Sequence, residues 1–225
     1  MYQHAGHNGG MGAAPGTERR DVRRRDADAT YRRILDRAVE RFDESGPAGI
    51  VVTAIAAEAG VSVGALYHHF SGRTGLVAAA RIEQFRRTTE ADLQEIERAT
   101  RTAATFDEFR DFNRSLVRRN REPVRVRARR ERLAALAAAT DDPETAIGIT
   151  EAQRQLTDGL TQCAELARDR GWFRPDVDPR AWAAMVQGLL LGAVVVDLDP
   201  TVDETAWIAL VEQVQNLAIQ GGAGT

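Results

Sequence analysis

The stretch AIAAEAGVSVGALYHHF, residues 54–70, decides the fold. About Val52 to Ala59 reads as one short helix. Gly60 suits the left-handed position that ends a helix. Ser62 can cap the next helix, since its hydroxyl accepts from a backbone N–H in the first turn. Val63 to Phe70 then form a second short helix. Two short helices joined by a glycine turn make a helix-turn-helix. Leu66 and Phe70, four apart, share one face and would hold the second helix to a core. Val63, Gly64 and Ala65 are small and neutral, so the opposite face can approach a major groove about 12 Å wide. Tyr67, His68 and His69 offer O–H and N–H donors at the groove edge. Val63 and Ala65 offer methyl groups to thymine.

Upstream, Tyr31, Ile34, Leu35, Ala38 and Phe42 mark one stripe of a helix over about 29–44. SGPAG, residues 45–49, ends it. Downstream, SGRTG, residues 71–75, leads into a long helix over about 74–100. Further helices are expected over 105–121, 123–140, 143–170, 178–198 and 203–220. No period-two strand pattern occurs. The fold class is all-α, with three helices at the N-terminus and a helical bundle behind them.

The whole chain of 225 residues has a net charge of −3, which does not mark a nucleic-acid partner. The distribution does more. No Asp or Glu occurs from Ala59 to Ile82. From Leu133 onward there are five Arg against fourteen acids. A locally non-acidic surface can meet phosphate within an acidic protein. All thirty basic residues are Arg. The lone Cys163 is read as a small core residue in a reducing cytoplasm. Residues 1–16 lack the apolar core of a signal peptide. The apolar run 181–196 is shorter than the ~20 residues that span a bilayer, so it is read as a buried helix.

AIAAEAGVSVGALYHHFSGRTGL, residues 54–76, resembles the DNA-binding segment of the tetracycline-repressor (TetR) family of bacterial regulators. YRRILDRAVERFDESG, residues 31–46, looks like that family's first helix. The likeness covers about residues 30–80, and the rest is similar only in outline. It implies DNA contacts at Thr53 on the second helix and at Val63, Gly64, Ala65, Tyr67, His68 and His69 on the third. The resemblance makes Arg73 the anchoring basic residue at the DNA, where the family more often has Lys. Ser62 is read as a cap whose hydroxyl can also face phosphate. Val51 stands where a capping Ser or Thr is common. The resemblance also implies a homodimer on palindromic double-stranded operator DNA, released by a small-molecule effector.

The domains expected are an unstructured Arg-rich arm over 1–28, a DNA-binding domain over 29–75, and a ligand-binding and dimerisation domain over 76–221. Arg19, Arg20, Arg23, Arg24 and Arg25 of the arm either reach DNA or belong to a solvated tail. Candidate pocket residues are Phe106, Phe109, Phe112, Leu116, Leu160, Cys163 and Trp172, which suggest a mostly apolar effector. Candidate dimer residues are Trp182, Val186, Leu189 and Ala193, then Trp207, Leu210, Val211 and Val214. A helix apolar all round must be buried on two sides.

Arg118, Arg121, Arg125, Arg129 and Arg132 form a stripe. It reads either as a solvated face or as a partner for acids on the first helix. DLDPTVDE, residues 197–204, lacks the Gly and Glu of a calcium loop and reads as a loop with a helix cap. His68 and His69 point about 100° apart on a helix, which suits no shared metal. No cofactor, metal, membrane contact or enzyme activity is expected, since no nucleophile–base set or phosphate loop occurs. The other reading kept is a helical ligand- or partner-binding protein that does not bind DNA specifically.

Overall fold

The computed structural model describes residues 15–220, with side chains from residue 24. The chain divides into two compact units, one ending at Ala80 and the other starting at Arg81. The sequence reading puts the boundary five residues earlier.

The first unit opens with α1, Pro15–Ser45. This corrects the expected unstructured arm: residues 15–28 are helical. The reason is cooperative. Adding residues to an existing helix avoids the cost of nucleation, and Pro is favoured at a first helical position. The side chains of Arg19, Arg20 and Arg23 lie outside the described residues, as do residues 1–14. A 3-10 turn, Gly46–Gly49, follows. Then come α2, Val52–Glu58, and α3, Val63–Phe70. Next is α4, Arg73–Thr102, which continues into the second unit.

The core of this unit joins Ile34, Ala38 and Phe42 of α1 to Ile55 of α2, Leu66 and Phe70 of α3, and Leu76 of α4. Full burial of such side chains contributes about 1.5–3 kcal/mol each. The start of α4 sits tightly on the end of α3. A Cβ on Gly75 would run into the carbonyl oxygen of Phe70.

The second unit continues with α5, Phe106–Arg119, α6, Pro123–Ala138, and α7, Pro143–Asp169. After these come α8, Pro179–Gly192, α9, Val194–Leu198, and α10, Glu204–Asn216. Local capping fixes the boundaries. Thr105, Asp142, Asp178 and Asp203 each accept a backbone N–H in the first turn of α5, α7, α8 and α10. Arg170 closes the far end of α4, donating to the carbonyls of Thr100, Arg101 and Ala103 at 2.8–3.1 Å. Ile82 and Leu93 of α4 lie over Gly148 and Gly159 of α7. Eleven residues separate each pair, about three turns, so the two helices run side by side in the same direction.

Among the described residues there is no strand, only one antiparallel bridge between Phe173 and Ile219.

The expected helix over 178–198 is interrupted at Ala193, which separates α8 from α9. Asp197 of α9 is nearly inaccessible and pairs with Arg129 of α6 at 2.5 Å and with Arg121. Burial alone would raise the Asp197 carboxyl. The hydrogen bonds and charges of Arg129 and Arg121 outweigh that and hold it below the usual range. In the loop beyond, Asp199 accepts from Thr201, and Asp203 caps α10. The loop-and-cap reading of 197–204 holds from Asp199 to Asp203, while Asp197 and Leu198 belong to α9.

Candidate nucleic-acid interface

The α2–α3 turn is built from backbone geometry. Gly60 has φ +66, and its N–H and that of Val61 donate back to Ala57 and Ala56. The left-handed φ suits Gly because it has no Cβ. Ser62 then caps α3, accepting from the Ala65 N–H at 3.1 Å. The N-terminus of α2 has no such cap, as the sequence suggested at Val51.

These caps fix the phase of α3. Leu66 and Phe70 are buried, while Ser62, Val63, Gly64, Tyr67 and His68 are exposed. Tyr67 is 51% accessible. Thr53 on α2 is exposed as well. Ala65 and His69 are half-buried. His69 turns toward α1, with its ring 6.2 Å from that of Tyr31. Tyr31 stacks on Phe70 at 4.6 Å, so an aromatic column ties α3 to α1. Arg41 of α1 also pairs with Glu58 at the end of α2.

Arg73 has a role the sequence did not reveal. Its guanidinium donates to the carbonyls of Ile50 at 3.0 Å and Pro47 at 2.6 Å. It therefore braces the connection between α1 and α2, with two of its five donors committed within its own unit.

Residues 34–80 match the family model for bacterial regulatory proteins of the tetR family. Over that segment the chain is similar to the helix-turn-helix head of the tetR family. Solved structures extend the likeness in fold to most of its length. A TetR-family regulator candidate from Rhodococcus sp. is 19% identical, with a TM-score of 0.60 over 86% of this chain and 100% of that one. A regulator candidate from Saccharomonospora viridis, solved in complex with choline, is 19% identical, with a TM-score of 0.55 over 84% and 97%. SmeT, the repressor of the Stenotrophomonas maltophilia efflux pump SmeDEF, is 25% identical, with a TM-score of 0.50 over 89% and 95%. No curated protein matches the chain in sequence.

Most of the residues proposed for a pocket lie away from the described cavities. Phe106, Phe109 and Trp172 pack into a closed cluster with Phe173 and Ala167. Leu160 and Cys163 are buried, and Phe112 is half-buried. Burial pushes the Cys163 thiol up to about 11, which leaves it protonated and unreactive at neutral pH. Of the seven candidates only Leu116 lines a described cavity. The cavities lie along α4 and α6 and are lined by Thr88, Thr89, Asp92, Asn120 and several arginines. Aromatic spacing marked the core because packed cores and pockets use the same residue types.

The Arg stripe is partnered within its own unit, with Arg118 still largely exposed. Arg118 meets Glu212, Arg121 and Arg129 meet Asp197, and Arg125 meets Asp92 and Glu95.

The expected dimer residues are split by burial. Val186, Ala193 and Val211 turn into their own unit, and Trp182 packs on Phe173. Leu189, Trp207 and Val214 are half-buried. Only Leu210 stands clearly outward, at 54% accessible. The outward apolar residues are instead Met185, Val195, Leu198, Leu210 and Leu217. Ala181, Ala184 and Gly188 lie open beside Met185 on α8. An all-round apolar helix carries no phase signal, so the sequence could not tell the inward face from the outward one. By length and composition the twenty residues Pro179–Leu198 could cross a membrane. The break at Ala193 interrupts that helix, and Ala183, Val186, Gln187 and Val196 turn inward.

Proposed function

We propose that the protein is a homodimeric transcriptional repressor of the cytoplasm. It binds a palindromic operator through α3 and is released by a small-molecule effector held in the second unit. The observation that carries this reading is the phase of α3. Its apolar anchors are buried, its small and polar aromatic residues face out, and no carboxylate lies between Ala59 and Ile82. In this reading Thr53, Ser62, Val63, Gly64, Ala65, Tyr67 and His68 approach the groove. His69 contributes from the edge, and Arg73 positions the α1–α2 connection.

The dimer reading is supported by the open apolar face of α8–α9 and by Leu210 and Leu217. A two-fold pair of heads would read two half-sites one helical turn apart. Met185→Glu should then give a monomer by light scattering and weaken operator binding. An unchanged dimer mass would remove that surface from the interface. Effector release is a difference in ligand affinity between two conformations.

The test of the function is retention of fragmented genomic DNA by the purified protein, with a salt titration. Recovery of a palindromic site, with affinity falling as salt rises, supports the repressor reading. The absence of any retained site would favour a helical partner-binding protein.

A further inference from the structure

Arg119, Arg125, Arg129 and Arg132 line the cavities of the second unit. Three of them have a carboxylate partner. Arg119 meets Glu95 at 2.8 Å, Arg125 meets Asp92, and Arg129 meets Asp197. Arg132 has none among the described residues. Its Nη2 donates to two neutral amide oxygens, Gln153 Oε1 at 2.9 Å and Gln187 Oε1 at 3.0 Å. Its Nε is buried without an acceptor. The guanidinium lies 5.6 Å from the Phe85 ring centroid. Burial holds it below its ordinary value, and the nearby charge of Asp92 offsets this only in part. An arginine stays charged in a protein. A desolvated charge without a counter-ion is costly, so the site favours an anion.

The space around Arg132 fits that need. It stands in the wall of two neighbouring cavities, of about 260 and 490 Å³ counted with their open mouths. Thr88, Thr89 and Ala128 line both. Phe85 and Ala135 give one an apolar wall, and Leu190 and Leu191 do so for the other. The two acids on these linings are already engaged, Asp92 by Arg125 and Glu131 by Arg127.

We propose that this site binds a small amphiphilic carboxylate, with its carboxylate on Arg132 and its apolar body against Phe85, Ala128 and the leucines. The proposal rests on reading the second unit as the effector-binding part. It replaces the aromatic cluster with this site and gives the effector a charge.

Calorimetric titration of the purified full-length protein tests it. The probes are hexanoate, octanoate and phenylacetate, each compared with its alcohol and its ammonium counterpart. The expected result is that at least one acid binds roughly tenfold or more tighter than its alcohol. The ammonium compound should show no binding. Arg132→Gln should abolish the preference for the acid while circular dichroism stays unchanged. Ala128→Leu should weaken acid and alcohol alike, and it decides the matter together with the wild-type ratio if Arg132→Gln does not fold. Three results would overturn the proposal: alcohol binding as tight as acid binding, a preference that survives Arg132→Gln, or no binding by any acid of the set. DNA retention is read separately. Operator recovered without acid binding sinks this site alone. Acid binding without DNA retention sinks the repressor reading and leaves the site standing.

Discussion

Helices α3 and α6 are built from opposite materials. Helix α3 has no carboxylate or guanidinium, and among the described residues its outward side chains have no partner within hydrogen-bond reach apart from the Ser62 cap. Helix α6 carries five arginines, and those facing its own unit are held by carboxylates or amides on other helices. A free, small, neutral face is what a groove-reading helix needs. A helix whose charges are spent internally cannot serve that purpose, and instead it fastens a bundle. The difference teaches that exposed polar groups without partners, rather than the number of cations, mark the surface proposed to face DNA.

The contrast can be broken most forcefully at its internal end. Asp197→Asn leaves Arg129 buried without its counter-charge and leaves Arg121 with Glu204 alone. Breaking a buried pair in this way costs about 3–5 kcal/mol. Urea denaturation followed by helical signal should show that loss, and a loss under 1 kcal/mol would mean that the network holds little. The same pair sets an acid dependence. The Asp197 carboxyl is depressed in the folded state from an ordinary 3.8. Its contribution is therefore complete above that value and is lost as pH falls through the lower folded value. Below about pH 4 the wild-type chain should lose stability with acid more steeply than Asp197→Asn does. Parallel acid titrations of the two would contradict this.

A smaller effect is expected where α3 meets α4. Gly75→Ala forces a methyl against the Phe70 carbonyl, and overpacking of this kind costs roughly 1–3 kcal/mol. Thermal melting of the variant should fall, and DNA affinity should fall with it, because α3 loses its fixed phase. Ser62→Ala removes the α3 cap at a cost of about 1 kcal/mol. Its melting temperature should drop less than that of Gly75→Ala, and the reverse order would make the cap more important than the packing.

What was legible in the sequence follows the same division. The range of α3 matched to the residue, and the bundle helices came within a few residues of their true ends, because Ser62, Asp142, Asp178 and Asp203 are local signals. The outward face of α3 was legible too, since Leu66 and Phe70 give it a phase. Partners distant in the chain were not legible. Asp197 lies 68 residues from Arg129, and no spacing rule connects them. The apolar-all-round α8 concealed which side faced its own core. Several aromatic residues that suggested a pocket pack together, while the described cavities are lined by arginines, threonines and apolar side chains. Residues 15–28 of the arm were misread because their mixed charges looked disordered in isolation, although α1 extends through them.

The most direct test of the account is one double variant, Tyr67→Phe with His68→Ala, measured for stability and for operator affinity together. Both side chains are exposed, so stability should stay within about 0.5 kcal/mol of wild type. Operator affinity should fall roughly tenfold or more, with ligand binding unchanged. Unchanged affinity in a fully folded double variant would contradict the claim that the free face of α3 is the surface that meets DNA.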